Sequence, residues 1–128
     1  MTFKYPLAFM ASILLSTSAL ADVSVHVLDT NKGLPGKEIK VDFYEQSEDG
    51  WKLLSTQKTD MNGRIKSFDL GSANTYRVVF DVEPFFKAQN VDSFYTQIPV
   101  DFKVDDKNSH YHIPLLLSPY AYSTYRGN

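Results

Sequence analysis

The chain has 128 residues, carries 15 acidic against 13 basic side chains for a formal net charge of −2, and contains no cysteine. That balance argues against a phosphate-binding surface, since nucleic-acid binders present a basic patch, and without thiols neither a disulfide framework nor a thiolate metal site can form. Such a domain must hold together through its own apolar core, helped by association between copies, and the 14% of aromatic residues supplies material for both.

The first segment reads as a leader. Lys4 gives a positive start, and Pro6 to Leu20 is apolar apart from Ser12, Ser16, Thr17 and Ser18. Ala19-Leu20-Ala21 then offers the small-residue pattern that signal peptidase cuts, which predicts cleavage before Asp22 and an exported, periplasmic protein. The run is too short and too rich in serine for a membrane span; the alternative is a buried N-terminal strand or helix. Removing 21 of 128 residues leaves 107, enough for one small domain spanning 22–128.

Period-two patterning dominates the remainder. Val23, Val25 and Val27 fall on one face of the first run, with Ser24, His26 and Leu28 on the other. Ile39, Val41 and Phe43 alternate with Lys40, Asp42 and Tyr44; Tyr76, Val78, Phe80 and Val82 share a face, as do Ile98, Val100, Phe102 and Val104. β-Branched and aromatic residues in such runs indicate half-buried strands. Turn residues separate them at Asn31–Gly33, Leu34–Gly36, Glu48–Gly50, Asp60–Gly63 and Asp105–Asn108. Short strands spaced in this way predict a mainly β, antiparallel sandwich. One segment breaks the rhythm: Pro84 at a helix start, then Phe85, Phe86 and Gln89 at helical spacing, predict one short helix between strands.

The residues able to carry chemistry are few. His110 and His112 stand two apart in the last long run, so on a strand they point the same way, with Tyr111 and Ile113 in the opposite layer. His26 lies on the polar side of the first strand. Arg64 follows the Asp60–Gly63 turn, where Gly63 is expected to take a positive φ and the arginine to open the next strand. Taken singly, a histidine on an outer strand face is ordinarily solvated, and an arginine after such a turn is ordinarily a surface group. His-x-His also suits half of a zinc site, which His26 and a carboxylate would have to complete. Periodicity does not show whether these side chains meet.

Several segments together resemble a known family. His26–Asp29 (HVLD), Thr59–Ile65 (TDMNGRI), Tyr76–Phe80 (YRVVF), Phe85–Asn90 (FFKAQN) and His110–Gly127 (HYHIPLLLSPYAYSTYRG) are similar, in order, to the transthyretin-related proteins that hydrolyse 5-hydroxyisourate. The resemblance covers nearly all of 22–128 and is most specific in its long C-terminal segment. It implies a transthyretin-like (prealbumin-like) sandwich, a homotetramer, and sites in a channel between dimers lined by the C-terminal tail. It further implies catalytic roles for His26, Arg64 and His112, and substrate contacts from His26, Arg64, His110 and Tyr125. No cofactor or metal enters that scheme, and the partner is the small-molecule substrate rather than nucleic acid or membrane. One position departs from the family: its terminal serine is replaced here by Asn128, which exchanges a hydroxyl for a longer amide.

Three readings compete. A hydrolase needs the His/Arg set and the Tyr-Arg-Gly tail, both present. A transthyretin-like small-ligand carrier would use the same fold without them. A structural β-module of a larger exported protein would show linkers or repeats, and none is evident.

Overall fold

Val23, Val25 and Val27 are fully buried whereas Ser24, His26 and Leu28 are only partly covered, so the first alternating run folds as a strand with one face in the core. The computed structural model describes residues 22–128; the expected leader, residues 1–21, lies outside them. In chain order the elements are β1 (Asp22–Asp29), β2 (Leu34–Pro35), β3 (Lys40–Ser47), β4 (Gly50–Lys58), β5 (Arg64–Asp69), β6 (Thr75–Asp81), α1 (Glu83–Lys87), β7 (Gln97–Lys103), β8 (His110–Leu117) and β9 (Tyr122–Thr124). They form the expected sandwich of two sheets with one short helix. One sheet runs β4-β3-β6-β7; the other runs β2-β1-β8-β9, with β5 also paired to β1.

The core lies between the inner faces. Phe43 stacks on Phe68 and on Tyr76, with ring centroids 5.0 and 5.3 Å apart. Stacked rings of this kind contribute about 0.5–1.5 kcal/mol each beyond the area they bury. Tyr76 satisfies its hydroxyl by donating to the Gly71 carbonyl at 2.9 Å. Buried Thr59 donates to Gly36 O at 2.7 Å and accepts from Ile39 N at 2.9 Å, which ties the turn before β5 to the loop before β3. Among the described residues no buried side-chain polar atom lacks a partner. The helix begins with Glu83 and Pro84 as the sequence suggests, and it buries Phe86.

Two features depart from simple expectation. Leu34–Pro35, which reads as a turn, instead pairs antiparallel with Asp29 and Leu28 at the sheet edge. An edge tolerates proline because its missing N–H faces away from the partner strand. Within the otherwise antiparallel sandwich, β1 and β8 pair in parallel over their full length, from Asp22↔His110 to Asp29↔Leu117. This pairing positions the site.

Candidate active site

Because strand side chains alternate, burying the valines of β1 turns Asp22, Ser24 and His26 to the outer face. On β8 the buried Tyr111 and Ile113 likewise turn His110 and His112 outward. The parallel register then sets Asp22 beside His110, Ser24 beside His112 and His26 beside Pro114. On the other flank of β1, antiparallel pairing sets Arg64 opposite His26, and directly opposed residues project from the same face. With strands spaced ~4.8 Å apart and His112 two residues along from the level of His26, β5, β1 and β8 gather the backbones of Arg64, His26 and His112 within about 12 Å.

Arg64 is delivered by a tightly specified turn. Asp60 Oδ1 accepts from Asn62 N at 2.8 Å and from Arg64 N at 2.9 Å. Gly63 adopts φ +75°, and a Cβ there would lie 2.5 Å from the Val27 carbonyl oxygen, so glycine is required by conformation and by space. Its own carbonyl accepts from Val27 N at 2.8 Å and fastens the turn to β1, one residue from His26.

The two histidines of β8 are joined through a serine of β1. Ser24 Oγ lies 2.7 Å from His112 Nδ1 and 2.9 Å from His110 Nε2. Behind them, Asp22 Oδ1 lies 2.5 Å from His110 Nδ1. Neither Ser24 nor Asp22 was singled out by sequence reasoning. The available signal was that both share the outer face with His26, but only the register of β1 against β8 shows what they touch.

Electrostatics favour neutral imidazoles. Burial first, and then the Arg64 guanidinium, hold His26 below the ordinary histidine value. His112 is lowered in the same way, by burial, by Arg64, and by the neighbouring His110 and His26. A neutral ring keeps a lone pair and can serve as a base. At Asp22 burial opposes ionisation, but hydrogen bonds from His110 and Ser67 outweigh it and hold the carboxyl below its usual range.

The C-terminal tail closes the far side of this cluster. Thr124 donates to Pro114 O at 2.7 Å, and Gly127 N donates to His112 O at 2.8 Å. The Arg126 guanidinium sits 4.6 Å from the centre of the Tyr111 ring, a cation–π contact that anchors the tail. Tyr125 and His112 share a cleft of about 230 Å³, although Tyr125 is itself 58% exposed. The tail is thus fixed from Thr124 to Gly127, but in one chain its tyrosine is a rim rather than a buried wall. A larger cleft of about 600 Å³ lies elsewhere, around Leu34, Met61 and Phe85, and contains none of the His/Arg cluster. Reactive groups rather than volume single out the site. Among the described residues, no three His, Cys, Asp or Glu side chains are placed to hold a metal ion.

Fold and residues define a class: a two-sheet β-sandwich carrying a histidine–arginine cluster on one outer sheet face, with a tail bound back onto one histidine. The family model described as HIUase/Transthyretin matches residues 23–127. The chain belongs to the HIUase/Transthyretin family. It is 38% identical to the 5-hydroxyisourate hydrolase of Salmonella typhimurium over 134 residues, covering 98% of each protein. Among solved structures, 5-hydroxyisourate hydrolase of Klebsiella pneumoniae superposes with a TM-score of 0.74 at 27% identity, covering 84% of this chain and 94% of that one. Sea bream transthyretin in complex with thyroxine superposes with a TM-score of 0.75 at 30% identity, covering 82% and 93%.

Proposed function

We propose that this protein hydrolyses 5-hydroxyisourate, opening its six-membered lactam to 2-oxo-4-hydroxy-4-carboxy-5-ureidoimidazoline in urate degradation. The observation that carries this reading is a pair of histidines sharing one sheet face with a guanidinium, their pKa values lowered by burial and by that guanidinium. It is joined to hydrolase relatives that match nearly the whole chain.

Ring opening needs a water deprotonated, an amide carbonyl polarised and the leaving nitrogen protonated. His112 takes the water proton, since a neutral imidazole is a competent base near neutral pH. Arg64 faces the carbonyl oxygen, where its planar fork of donors meets the charge that grows during attack. His26, opposite Arg64, orients the substrate ring or shares the water, and Tyr125 contacts the ring from the tail side. In this reading Asn128 trims the pocket in place of the usual terminal serine.

The same proposal includes assembly and location. The His/Arg face and the tail are open in one chain: Tyr125 is 58% and Tyr120 67% exposed. A homotetramer that stacks such faces would exclude water from the site and cover these rings. Export with cleavage after Ala21 would place the enzyme in the periplasm and leave Asp22 as the first residue.

A small-ligand carrier of the transthyretin type has the same fold, and the similarity to sea bream transthyretin keeps it as the second reading. The His/Arg cluster and the Tyr-Arg-Gly tail favour the hydrolase. The deciding measurement adds purified protein to freshly generated 5-hydroxyisourate and follows its ultraviolet absorbance. Catalysed decay is expected; decay at the spontaneous rate would leave the carrier.

A further inference from the structure

Asp22, His110, Ser24 and His112 form an unbroken line of side-chain contacts across two parallel strands, at 2.5, 2.9 and 2.7 Å in that order. We propose that this line is a proton relay, in which Ser24 and His110 set the tautomer of His112 and carry its proton to the Asp22 carboxylate's side. The proposal rests on the hydrolase reading and deepens it. It gives His110 a different task from direct substrate contact, since both its ring nitrogens are already engaged.

The direction of every hydrogen bond follows from one end. An ionised carboxylate only accepts, so His110 must donate from Nδ1 to Asp22. A neutral imidazole with its proton on Nδ1 has a lone pair on Nε2, so His110 Nε2 accepts the Ser24 hydroxyl. With its single proton committed, Ser24 Oγ accepts from His112 Nδ1–H. The His112 lone pair is therefore left on Nε2. Carboxylate, imidazole and hydroxyl in series thus select which nitrogen of His112 acts as base.

The same line can move charge. When water gives a proton to His112 Nε2, the Nδ1 proton of His112 passes to Ser24 Oγ and the Ser24 hydroxyl proton passes to His110 Nε2. Ser24 ends as a hydroxyl again, His112 is neutral, and His110 is an imidazolium beside the Asp22 carboxylate. Protons and charge balance without a co-reactant. Reversal delivers a proton through His112 to the departing nitrogen. The benefit lies in position. A cation on His112 would sit in the field of Arg64, whereas on His110 it faces an anion. A carboxylate backing an imidazole in this way is the logic of hydrolase triads, but here the serine is a bridge between two histidines rather than a nucleophile.

Three variants and two readouts test the relay. Ser24→Ala removes the bridge, Ser24→Thr keeps a hydroxyl on a residue suited to strands, and Asp22→Asn keeps an acceptor for His110 Nδ1–H but removes the charge. On the processed protein, Ser24→Ala should lower kcat about 10²-fold, the scale of positioned acid–base catalysis, with KM within about threefold. Ser24→Thr should recover most of it, and Asp22→Asn should lower kcat about tenfold or more by leaving the imidazolium unpaired. Nitrogen-15 NMR without substrate reads the tautomers. The parent should show His112 with its proton on Nδ1, Asp22→Asn should keep that form, and Ser24→Ala should lose it. A folded Ser24→Ala variant with parental kcat would overturn the relay. So would a parental protein with the His112 proton on Nε2, or a Ser24→Ala loss expressed only in KM. If the parent protein itself fails to hydrolyse 5-hydroxyisourate, the functional reading falls with the catalytic part of the relay. The substrate-free tautomers still report whether the line sets His112.

Discussion

Gly127→Ala should disable the enzyme through a single methyl group. A Cβ at residue 127 would lie 2.5 Å from His112 Cδ2 and 3.1 Å from Pro114 Cγ. Carbon atoms prefer to sit ~3.5–4.0 Å apart, so about 1 Å of relief is required. Gly127 is not in a left-handed conformation, and the cost is therefore contact rather than backbone strain. Two motions supply the relief. The His112 ring can turn away, which breaks its 2.7 Å contact with Ser24. Alternatively the exposed tail can lift, which forfeits the 2.8 Å bond from Gly127 N to His112 O. The second is easier, since Pro114 is buried and a lost hydrogen bond costs about 0.5–1.5 kcal/mol net. Stability should therefore drop by only about 1 kcal/mol, a shift of roughly 4–8 °C in Tm. Activity is far more sensitive, because a misplacement of ~1 Å near the reacting groups costs about 10²-fold. Steady-state hydrolysis of 5-hydroxyisourate and calorimetry on the same preparation separate the two effects. A Gly127→Ala protein with parental kcat/KM would refute the view that the tail must lie against the His112 ring.

Arg64→Lys should lower kcat/KM by about 10²-fold or more despite conserving charge, because an ammonium cannot present two parallel donors to a carbonyl; activity within about threefold of the parent would place Arg64 outside substrate contact. Deleting Tyr125–Asn128 should abolish hydrolysis while circular dichroism remains native, because these residues lie beyond β9 and none belongs to the buried core; a folded, fully active truncation would separate the tail from catalysis. The pH profile of kcat/KM should fall on the acid side with an apparent pKa below the ordinary histidine value of about 6.5, since His26 and His112 are both lowered and act when neutral. Arg64→Met should move that limb upward only part of the way, because burial is the larger cause; a limb unaffected by the change would contradict this electrostatic account. Stability follows the same sign. As pH falls through about 6.5 the unfolded histidines protonate before the folded ones. The native state therefore loses stability down to the lower folded values, and above that window these groups contribute nothing.

Much of the architecture could be read from alternation alone. The buried valines of β1, the Tyr76–Val82 face and the outward pair His110/His112 all follow from a period of two. So does the consequence that His26 stands clear of the core. The helix start at Pro84 and the positive φ at Gly63 were equally legible, because each rests on the stereochemistry of one residue type. Alternation assigns faces, however, and does not assign neighbours. Nothing in Asp22–Asp29 announces that it pairs in parallel with His110–Leu117, and without that register Ser24 is one more polar strand residue. The edge pairing of Leu34–Pro35 was masked by turn-forming residues on both sides. The short β9 was masked by its length, since three residues are too few to display a period. The candidate site was thus visible as a set of parts, and its wiring was not.

The parallel pair has a further consequence, for folding. The side chains linked in the line from Asp22 to His112 are separated by 86 to 88 residues in the chain, as Ser24 is from His110 and His112 and Asp22 from His110. Closing a loop of that length precedes any reward from the contacts it brings together, and topologies dominated by such pairings fold slowly. During synthesis β1 emerges first and waits for β8, its parallel partner, which is among the last segments to appear. Until then one side of β1 offers unpaired backbone groups to any other extended segment. Its neighbours β2 and β5 can cover only the opposite side. A chain cut short before His110 would keep only the His26–Arg64 part of the cluster, without His112 or its partners, and would carry an adhesive edge. The reactive centre is completed only when β8 arrives beside β1.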